Sequence, residues 1–515
     1  MQEQSFDQRT VRVSHSISLG EREYVAKRKE TILDCLKNHG IHCQREEVPH
    51  IAILGSGGGL RAVIGLLGSL LQLDRENLLD CSLYLCGVSG SSWCMSSLYQ
   101  DPGWAAKVPA AVKEMTNRLT NSRMKWEDVW RRLSSEAEEE DFSLTDVWAA
   151  GVVARSMREM DTRHLSEEAT RGPTNPYPIY STINKDYDKH PGKGTWFEFT
   201  PHEAGYSDLG AFVPTALLRS RFWGGQVEKE VGEMDMLRLQ GVCGSLLGDP
   251  ELIAKELWKM FWYWIDQFLS SEDKVDGVWP LGLETWKNGG LKDREMLLDR
   301  IRSAAGTWLV DHQDEGTPMC SFWQVMLKIF KKFGCWEWGT VSNFLHKLQN
   351  SEIPVDMQDK EKMNLIDAGL FMNSSYPPVL RQEREVDLIL SLDFSEGNPF
   401  ETLAKAAEYS EAMKKPFPVV DESKIKDVHS PSDFYVFEGT GSAPTVIHMP
   451  LFNIHNCKDK KDISRERAEY STFRWEYTEG EAKHLLEKAA TNIRNNKANI
   501  LSEIEKAVRR RQQRN

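Results

Sequence analysis

The feature that most restricts the fold of this sequence is a pair of strand–glycine turn–helix units between residues 48 and 98. The first unit runs from VPHIAIL at 48–54 through GSGGGLR at 55–61 into the apolar segment AVIGLLGSLLQL. The second runs from LYLC at 83–86 through GVSGSSW at 87–93. Two such units in succession predict parallel strands whose glycine turns expose backbone N–H groups at the carboxyl edge of a sheet.

Ser89 occupies the centre of the second glycine turn. Small neighbours on both sides allow the tight turn that raises a serine hydroxyl into a cleft, so Ser89 is a candidate nucleophile and the first turn a candidate source of oxyanion donors. The pattern Gly-x-Ser-Gly-Ser differs from the Gly-x-Ser-x-Gly of ordinary α/β-hydrolases. The alternative is a structural serine in a common type of turn.

A nucleophilic serine needs a base, and Asp367 is the candidate. It ends the predicted buried strand KMNLIDAGL at 362–370, where a partly desolvated carboxylate can accept a proton. A turn-forming or helix-capping aspartate is the alternative. None of the thirteen histidines lies in a recognisable motif, although a conventional Ser-His-Asp esterase would require one.

Arg61 directly follows the first glycine run. A planar guanidinium there suits the oxygens of a phosphate or of a developing oxyanion, whereas a cation at a helix start is not favoured locally. A surface salt bridge is the alternative. A nucleotide-binding turn is a weak interpretation of the same glycines, because Leu60 stands where the full fingerprint needs glycine.

Composition limits the possible partners. The chain of 515 residues has a net charge of −13, which argues against nucleic acid as a main partner. Nine cysteines without a CxxC pair indicate reduced thiols of the kind found in cytosolic proteins, and we predict neither a metal nor a cofactor. The sequence contains no apolar run of membrane-spanning length and starts without an apolar signal region. We therefore expect a cytoplasmic protein.

Aromatic residues concentrate in the segment ELIAKELWKMFWYWIDQFL at 251–269. Trp258, Trp262 and Trp264 in this predicted helix are candidates for contact with a lipid interface; an ordinary packed aromatic helix is the alternative. Elsewhere the pattern predicts helices at 104–170, strands at 171–215 and 385–394, and a hairpin at 434–451. It also predicts one amphipathic helix at 476–511. The basic end of this helix, at 509–511, is either a lipid contact or a solvated terminus.

Several motifs together resemble the catalytic domain of the cytosolic (group IV) phospholipase A2 family. The resemblance covers roughly residues 20–500 and is greatest to the family's gamma type, which lacks the calcium-binding C2 domain. Residues 225–335 match poorly. The motifs are GSGGGLRA at 55–62, GVSGSSW at 87–93, TWFEFTPHEAGYSDLGAFVPT at 195–215, WEWGT at 336–340, DAG at 367–369, RQER at 381–384 and MPLFN at 449–453.

The resemblance implies an α/β fold with a three-layer mixed central sheet flanked by helices, of the patatin/lysophospholipase type, and a helical cap. The implied division of the chain is a flexible N-terminus (1–20), one catalytic domain (21–500) with its cap within 104–335, and a basic helix end (501–515). The implied site residues are Ser89 and Asp367 as a catalytic dyad, Gly58 and Gly59 as the oxyanion hole, and Arg61 and Arg384 as phosphate- or substrate-binding residues.

The function implied is that of a calcium-independent serine acyl hydrolase acting on glycerophospholipids and lysophospholipids. An acyl-serine intermediate would pass its acyl group to water or to another lipid alcohol. We expect transient contact with intracellular membranes, with lysophospholipid and fatty acid as products; the oligomeric state is left open. The rival from another class is a catalytically silent lipid-binding or scaffold protein with the same fold.

Overall fold

A mixed sheet of twelve strands runs through the computed structural model, which describes residues 10–187, 194–245, 318–335 and 338–514 and the single positions 299 and 303. Ten strands form the main path in the order β1-β7-β6-β5-β4-β3-β2-β12-β14-β13. The strands are β1 Arg12–Val13, β2 Ile51–Gly55, β3 Tyr84–Gly87, β4 Tyr177–Asn184, β5 Trp196–Phe199, β6 Glu203–Tyr206, β7 Ala211–Pro214, β8 Arg221–Trp223, β9 Gln226–Lys229, β10 Thr340–Ser342, β11 Lys362–Asp367, β12 Leu388–Asp393, β13 Tyr435–Phe437 and β14 Thr445–Pro450. Strands β8 and β9 pair separately.

The centre of the sheet is parallel and the flank that follows β4 is antiparallel. Strands β14, β12, β2, β3 and β4 run parallel to one another, and each of the first four is buried along its whole length on both faces. Continuous burial of this kind is expected where helices cover both faces of a parallel sheet. The predicted mixed sheet flanked by helices is confirmed.

Strands β3 and β11 run toward each other along the same edge of β4. Gly87, at the end of β3, lies opposite Tyr180, and Asp367, at the end of β11, lies opposite Thr182. These positions are two residues apart on β4, which corresponds to a distance of about 7 Å at a strand rise of about 3.3 Å per residue. The carboxyl ends of two strands that are distant in the sequence therefore meet at one point of the sheet.

The helices cover this sheet. They are α1 Leu19–Asn38, α2 Gly59–Arg75, α3 Gly90–Leu98, α4 Val108–Asn121, α5 Trp126–Glu136, α6 Leu144–Trp148, α7 Ala154–Met157, α8 Met236–Cys243, α9 Pro318–Cys335, α10 Val355–Asp359, α11 Tyr376–Val379, α12 Glu401–Ala412, α13 Lys460–Glu469, α14 Glu479–Asn495 and α15 Lys497–Arg514. No described helix is long and apolar enough to cross a bilayer.

Helix α2 is buried by helices from distant parts of the chain. It packs against α3, α4 and, most extensively, α14. At the crossing with α14, a Cβ added to Gly68 would lie 2.4 Å from the carbonyl oxygen of Leu486. Glycine is therefore required at this position, since a side chain would separate the two helix backbones.

The C-terminal helical region differs from the prediction in two ways. The single helix predicted at 476–511 is two helices, α14 and α15, which part at Asn496 with φ −111° and ψ 14°. Arg511 is 8% exposed and donates from Nε to Asp387 Oδ2 at 2.5 Å. Arg510 donates to the backbone oxygen of Asp387. Two of the three arginines of the basic end are thus tied to Asp387, whereas Arg509 lies on the surface.

Residues 10–20, the described part of the segment predicted to be flexible, contact the rest of the fold. Strand β1 pairs with β7, and Arg12 holds Glu203 through an ion pair of 2.6 Å. The Ser18 side chain accepts a hydrogen bond from the Glu21 N–H at 3.1 Å and caps α1. Sheet pairing and this cap fix the segment that leads into the first helix.

Replacing Gly68 with alanine is expected to destabilise the protein. The gain in helix propensity is up to about 1 kcal/mol, but the clash with the Leu486 carbonyl outweighs it, giving a net loss of about 1–2 kcal/mol. Urea denaturation followed by tryptophan fluorescence measures this. The control is Gly480→Ala on α14, where a Cβ meets nothing within 4 Å. Equal unfolding midpoints for both variants would contradict the close helix contact.

Candidate active site

Ser89 lies in a strained turn between β3 and α3. Its backbone has φ 52° and ψ −123°, and it forms the N-cap of α3. A non-glycine residue in this region costs about 1–3 kcal/mol and persists only where the surrounding structure enforces it. Ser89 is 2% exposed, and its Oγ has no hydrogen-bond partner among the described residues. The turn therefore presents a hydroxyl that is held in place but not used by the fold.

Two glycines allow the turn of Ser89 to touch the first glycine turn. A Cβ at Gly90 would lie 2.1 Å from the carbonyl oxygen of Gly59, and a Cβ at Gly57 would lie 2.9 Å from the Ser89 Cβ. No real side chain tolerates such distances. The small residues noted in the sequence thus bring the candidate nucleophile against the start of α2.

Gly58 and Gly59 open helix α2 with positive φ angles of 149° and 57°. The preceding N–H groups of Ser56 and Gly57 are bound to the backbone oxygens of Leu392 and Asn373. The first N–H groups of a helix have no acceptor within the helix. Among the described residues neither Gly58 nor Gly59 has a backbone acceptor for its N–H group, and both groups lie at the positive end of the helix dipole. Gly58 lines the same cavity as Ser89.

Asp367 is fully buried next to this turn. Its Oδ1 accepts a hydrogen bond of 2.8 Å from the Gly369 N–H, while its Oδ2 has no partner among the described residues. Burial raises the pKa of Asp367 to about 7, opposed by the Ser89 hydroxyl and the Gly369 N–H. The Ser89 hydroxyl is thus near enough to act on the carboxylate, although the two groups lie outside hydrogen-bonding geometry.

Two residues near Ser89 and Asp367 were not predicted from the sequence. Asn373 donates from Nδ2 to the Gly57 oxygen at 3.2 Å and to Ser395 Oγ at 2.9 Å, so it joins three loops of the site. Cys243, at the end of α8, is buried; burial raises its thiol pKa, and the charge of Asp367 raises it further. Neither residue lies in a motif, and only the fold brings Cys243 near Asp367 and Asn373 near Gly57.

Arg61 faces the cavity at the start of α2 but uses its donors within the protein. Nε donates to the Phe394 oxygen at 2.6 Å, Nη1 to the Tyr470 oxygen, and Nη2 to Thr472 Oγ1 at 3.2 Å. Burial lowers its pKa from the usual arginine value. Arg61 therefore fastens the loops after β12 and α13 to the site. Its predicted contact with phosphate stays a prediction.

Arg384 is not among the described residues that line the cavity over Ser89, and its predicted role in substrate binding stays a prediction. Its side chain is fully buried and pairs with Glu21 at 2.8 Å and Glu198 at 2.7 Å. Arg381 contacts the same Glu198 at 2.6 Å. The two arginines lower the Glu198 pKa to about 2 against the opposing effect of burial. Arg384 thus joins α1 to the sheet and supports the fold.

A cavity of about 210 Å³ opens over the serine. Its lining includes Ser89, Gly58, Arg61 and Asn373, and Ser89 and Arg61 are buried at its floor. The outer half, as judged by solvent exposure, includes the polar side chains of Glu396, Glu401 and Lys405. No histidine is among the described residues that line it. The described residues also contain no cluster of three or more metal-ligand side chains. The predicted interface residues Trp258, Trp262 and Trp264 lie outside the described residues.

The chain is similar to known proteins in both sequence and fold. The model of the lysophospholipase catalytic domain family matches residues 51–247. The chain is 35% identical to human cytosolic phospholipase A2 gamma over 520 residues, covering 94% of each protein. The solved structure of human GIVD cytosolic phospholipase A2 superposes with a TM-score of 0.71 and 25% identity, covering 98% of this chain and 69% of that one. The same enzyme in complex with methyl gamma-linolenyl fluorophosphonate gives a TM-score of 0.67, with 25% identity over 99% of this chain and 67% of that one.

Replacing Arg384 with methionine is expected to lower stability by about 3–5 kcal/mol, because Glu21 and Glu198 are left buried with less compensating charge. Thermal and urea unfolding of the purified chain measure the loss. The control is Arg509→Met, whose ion pair with Glu505 lies on the surface and contributes little. If the variant lost turnover while its unfolding midpoint stayed unchanged, the result would instead favour a role of Arg384 in substrate binding.

Proposed function

The chain belongs to the cytosolic phospholipase A2 family, and from that premise we propose that it is a serine acyl hydrolase in which Ser89 is the nucleophile and Asp367 its base. The observation that carries the proposal is the meeting of a strained, unpaired serine hydroxyl and an unpaired buried carboxylate at the ends of β3 and β11. We propose glycerophospholipids and lysophospholipids as substrates.

The first step is acyl transfer to the enzyme. Asp367 accepts the Ser89 proton while Oγ attacks the ester carbonyl carbon of the lipid, and the carbonyl oxygen becomes an oxyanion. The N–H groups of Gly58 and Gly59 stabilise that oxyanion; in other hydrolases the loss of one such donor costs about 2.7–4 kcal/mol. The tetrahedral intermediate collapses, the proton passes from Asp367 to the leaving alkoxide, and an acyl-serine remains.

The second step regenerates Ser89. Water enters in place of the lysophospholipid or glycerophosphodiester and gives a proton to Asp367 as it attacks the acyl-serine carbonyl. The same two N–H groups stabilise the new oxyanion, and the fatty acid departs as Ser89 regains its proton. A lipid alcohol in the place of water would give transacylation by the same route.

The pKa of Asp367 supports its proposed role as the base. An ordinary aspartate, with a pKa near 3.9, is a poor base for an alcohol. Burial raises the pKa of Asp367 to about 7, so the group is about half ionised near neutral pH and accepts a proton more readily. The protein alone supplies nucleophile, base and oxyanion donors in this mechanism, and we therefore propose that the chemical step is independent of calcium.

Membrane contact is part of the proposal, because the substrates reside in membranes. We propose transient association with intracellular membrane surfaces, with lysophospholipid and fatty acid as products. The segment containing Trp258, Trp262 and Trp264 remains the proposed point of contact, on its aromatic composition alone.

Replacing Ser89 with alanine or Asp367 with asparagine is expected to lower turnover of a lysophospholipid about a thousandfold or more, because each removes one half of the proposed pair. Wild-type protein should form a covalent adduct with a lipid fluorophosphonate on the peptide that contains Ser89. Fatty-acid release and peptide mass spectrometry measure the two effects.

The matched control for these variants is Ser69→Ala, a buried serine within α2 that donates only to the Gly65 oxygen. It should retain turnover and labelling. A wild-type protein that neither reacts with the fluorophosphonate nor hydrolyses lipid would contradict the proposed enzymatic function. A histidine replacement that abolishes turnover without shifting the unfolding midpoint would contradict the dyad and favour a Ser-His esterase.

The rate is expected to depend on the ionisation of Asp367. Because the base must be ionised, kcat/KM should fall about tenfold per pH unit below about pH 7 and level off above it. A choline lysophospholipid is a suitable substrate, since its charge is constant in this range. Stopped assays across the pH range, with unfolding midpoints measured at each pH, provide the test. A rate that stays constant down to about pH 5 would contradict the raised pKa.

A further inference from the structure

The outer half of the cavity over Ser89 carries two carboxylates and a lysine. Glu396 follows β12, and Glu401 and Lys405 lie on the first turns of α12. Their side chains are 42%, 57% and 38% exposed, respectively. These groups therefore remain in contact with solvent at the mouth of a cavity whose floor holds the unpaired hydroxyl of Ser89.

Two carboxylates and one lysine leave this part of the cavity with an excess of negative charge, and the charged groups are loosely held. Lys405 pairs with Glu401 at 2.7 Å across one helical turn, an exposed pair of the kind that contributes little to stability. Glu396 accepts a hydrogen bond of 2.8 Å from the Thr472 N–H, and Arg61 lies 3.7 Å from its carboxylate. Arg61 itself is committed to three oxygen atoms of the protein. Among the described residues of this outer half, Lys405 is thus the cation that can leave its present partner, Glu401, to bind a ligand.

We propose that this outer half is a head-group subsite selective for phospholipids with a cationic amine, as in choline and ethanolamine head groups. The carboxylates of Glu396 and Glu401 receive the ammonium group, and Lys405 leaves Glu401 to bind the phosphate. The inference rests on the proposed function, since it requires the lipid ester to lie at Ser89. A zwitterion replaces the Lys405–Glu401 pair with two new pairs, so no charge is left without a counter-charge.

The size of the cavity fits this role. A volume of about 210 Å³ is below the roughly 300–1,000 Å³ of sites that enclose a whole drug-sized ligand. It accommodates the glycerol and head group of a lipid, while the acyl chains must extend elsewhere. A phosphoglycerol head group would bring the same phosphate charge to the two carboxylates without an ammonium to neutralise them, and would be disfavoured by repulsion.

The test compares choline and glycerol lysophospholipids with the same acyl chain, used as monomers so that the surface charge of a vesicle plays no part. The wild-type ratio of kcat/KM, choline over glycerol, should be about tenfold. Glu396→Gln and Glu401→Gln should each reduce that ratio about threefold, mainly through KM for the choline lipid, and the double variant should bring it near one. Lys405→Gln should lower kcat/KM for both lipids, because both carry the phosphate.

The matched control is Glu408→Gln, an exposed glutamate on the same helix and outside the cavity lining. It should leave the ratio at the wild-type value. A wild-type ratio near one, or equal losses on both lipids in the Glu396 and Glu401 variants, would overturn the subsite while leaving the hydrolase intact. Failure of the proposed function has a different signature, since the wild-type protein would then hydrolyse neither lipid and Ser89 would not react with the fluorophosphonate.

Discussion

The site depends on two strands that approach each other along a third. Strand β3 runs parallel to β4 and β11 runs antiparallel to it, so Gly87 and Asp367 end about two residues apart on the same strand edge. Each strand then delivers its functional group from a tight turn rather than from a flexible loop. The 278 residues that separate Ser89 from Asp367 in the sequence are therefore no obstacle to their contact. The sheet register sets their spacing.

Burial of the Asp367 carboxylate suits it to act as the proposed base, and the same burial lowers the stability of the folded protein near neutral pH. The influences on the Asp367 pKa are burial, the Ser89 hydroxyl and the Gly369 N–H; no charged group of the described residues is among them. Because the folded-state pKa is raised, the folded protein binds the proton more tightly than the unfolded chain does. The contribution of Asp367 to stability thus falls as pH rises from the ordinary aspartate range to about 7 and stays low above it.

Local sequence patterns predicted the local parts of the site. Small residues around Ser89 and the run at 55–59 predicted the two turns, because tight backbone contacts leave a direct trace in composition. Arg384 could not be placed in this way, since its partners Glu21 and Glu198 are distant in the sequence and only the fold reveals the pairing. Asn373 was missed for the same reason. The break at Asn496 was missed because the amphipathic pattern continues across it.

The contact between α2 and α14 also bears on how the protein is made. Helix α2 begins with the glycines of the candidate oxyanion hole, yet a large part of its buried surface is supplied by Glu479–Asn495. A chain still attached to the ribosome carries Ser89 and its turn long before those residues emerge. The apolar face of α2 must then remain exposed or be held by a chaperone until Glu479–Asn495 has been synthesised. The geometry of the candidate site consequently depends on a helix that lines no part of it, and truncation before α14 is expected to disrupt the site while leaving all its residues in place.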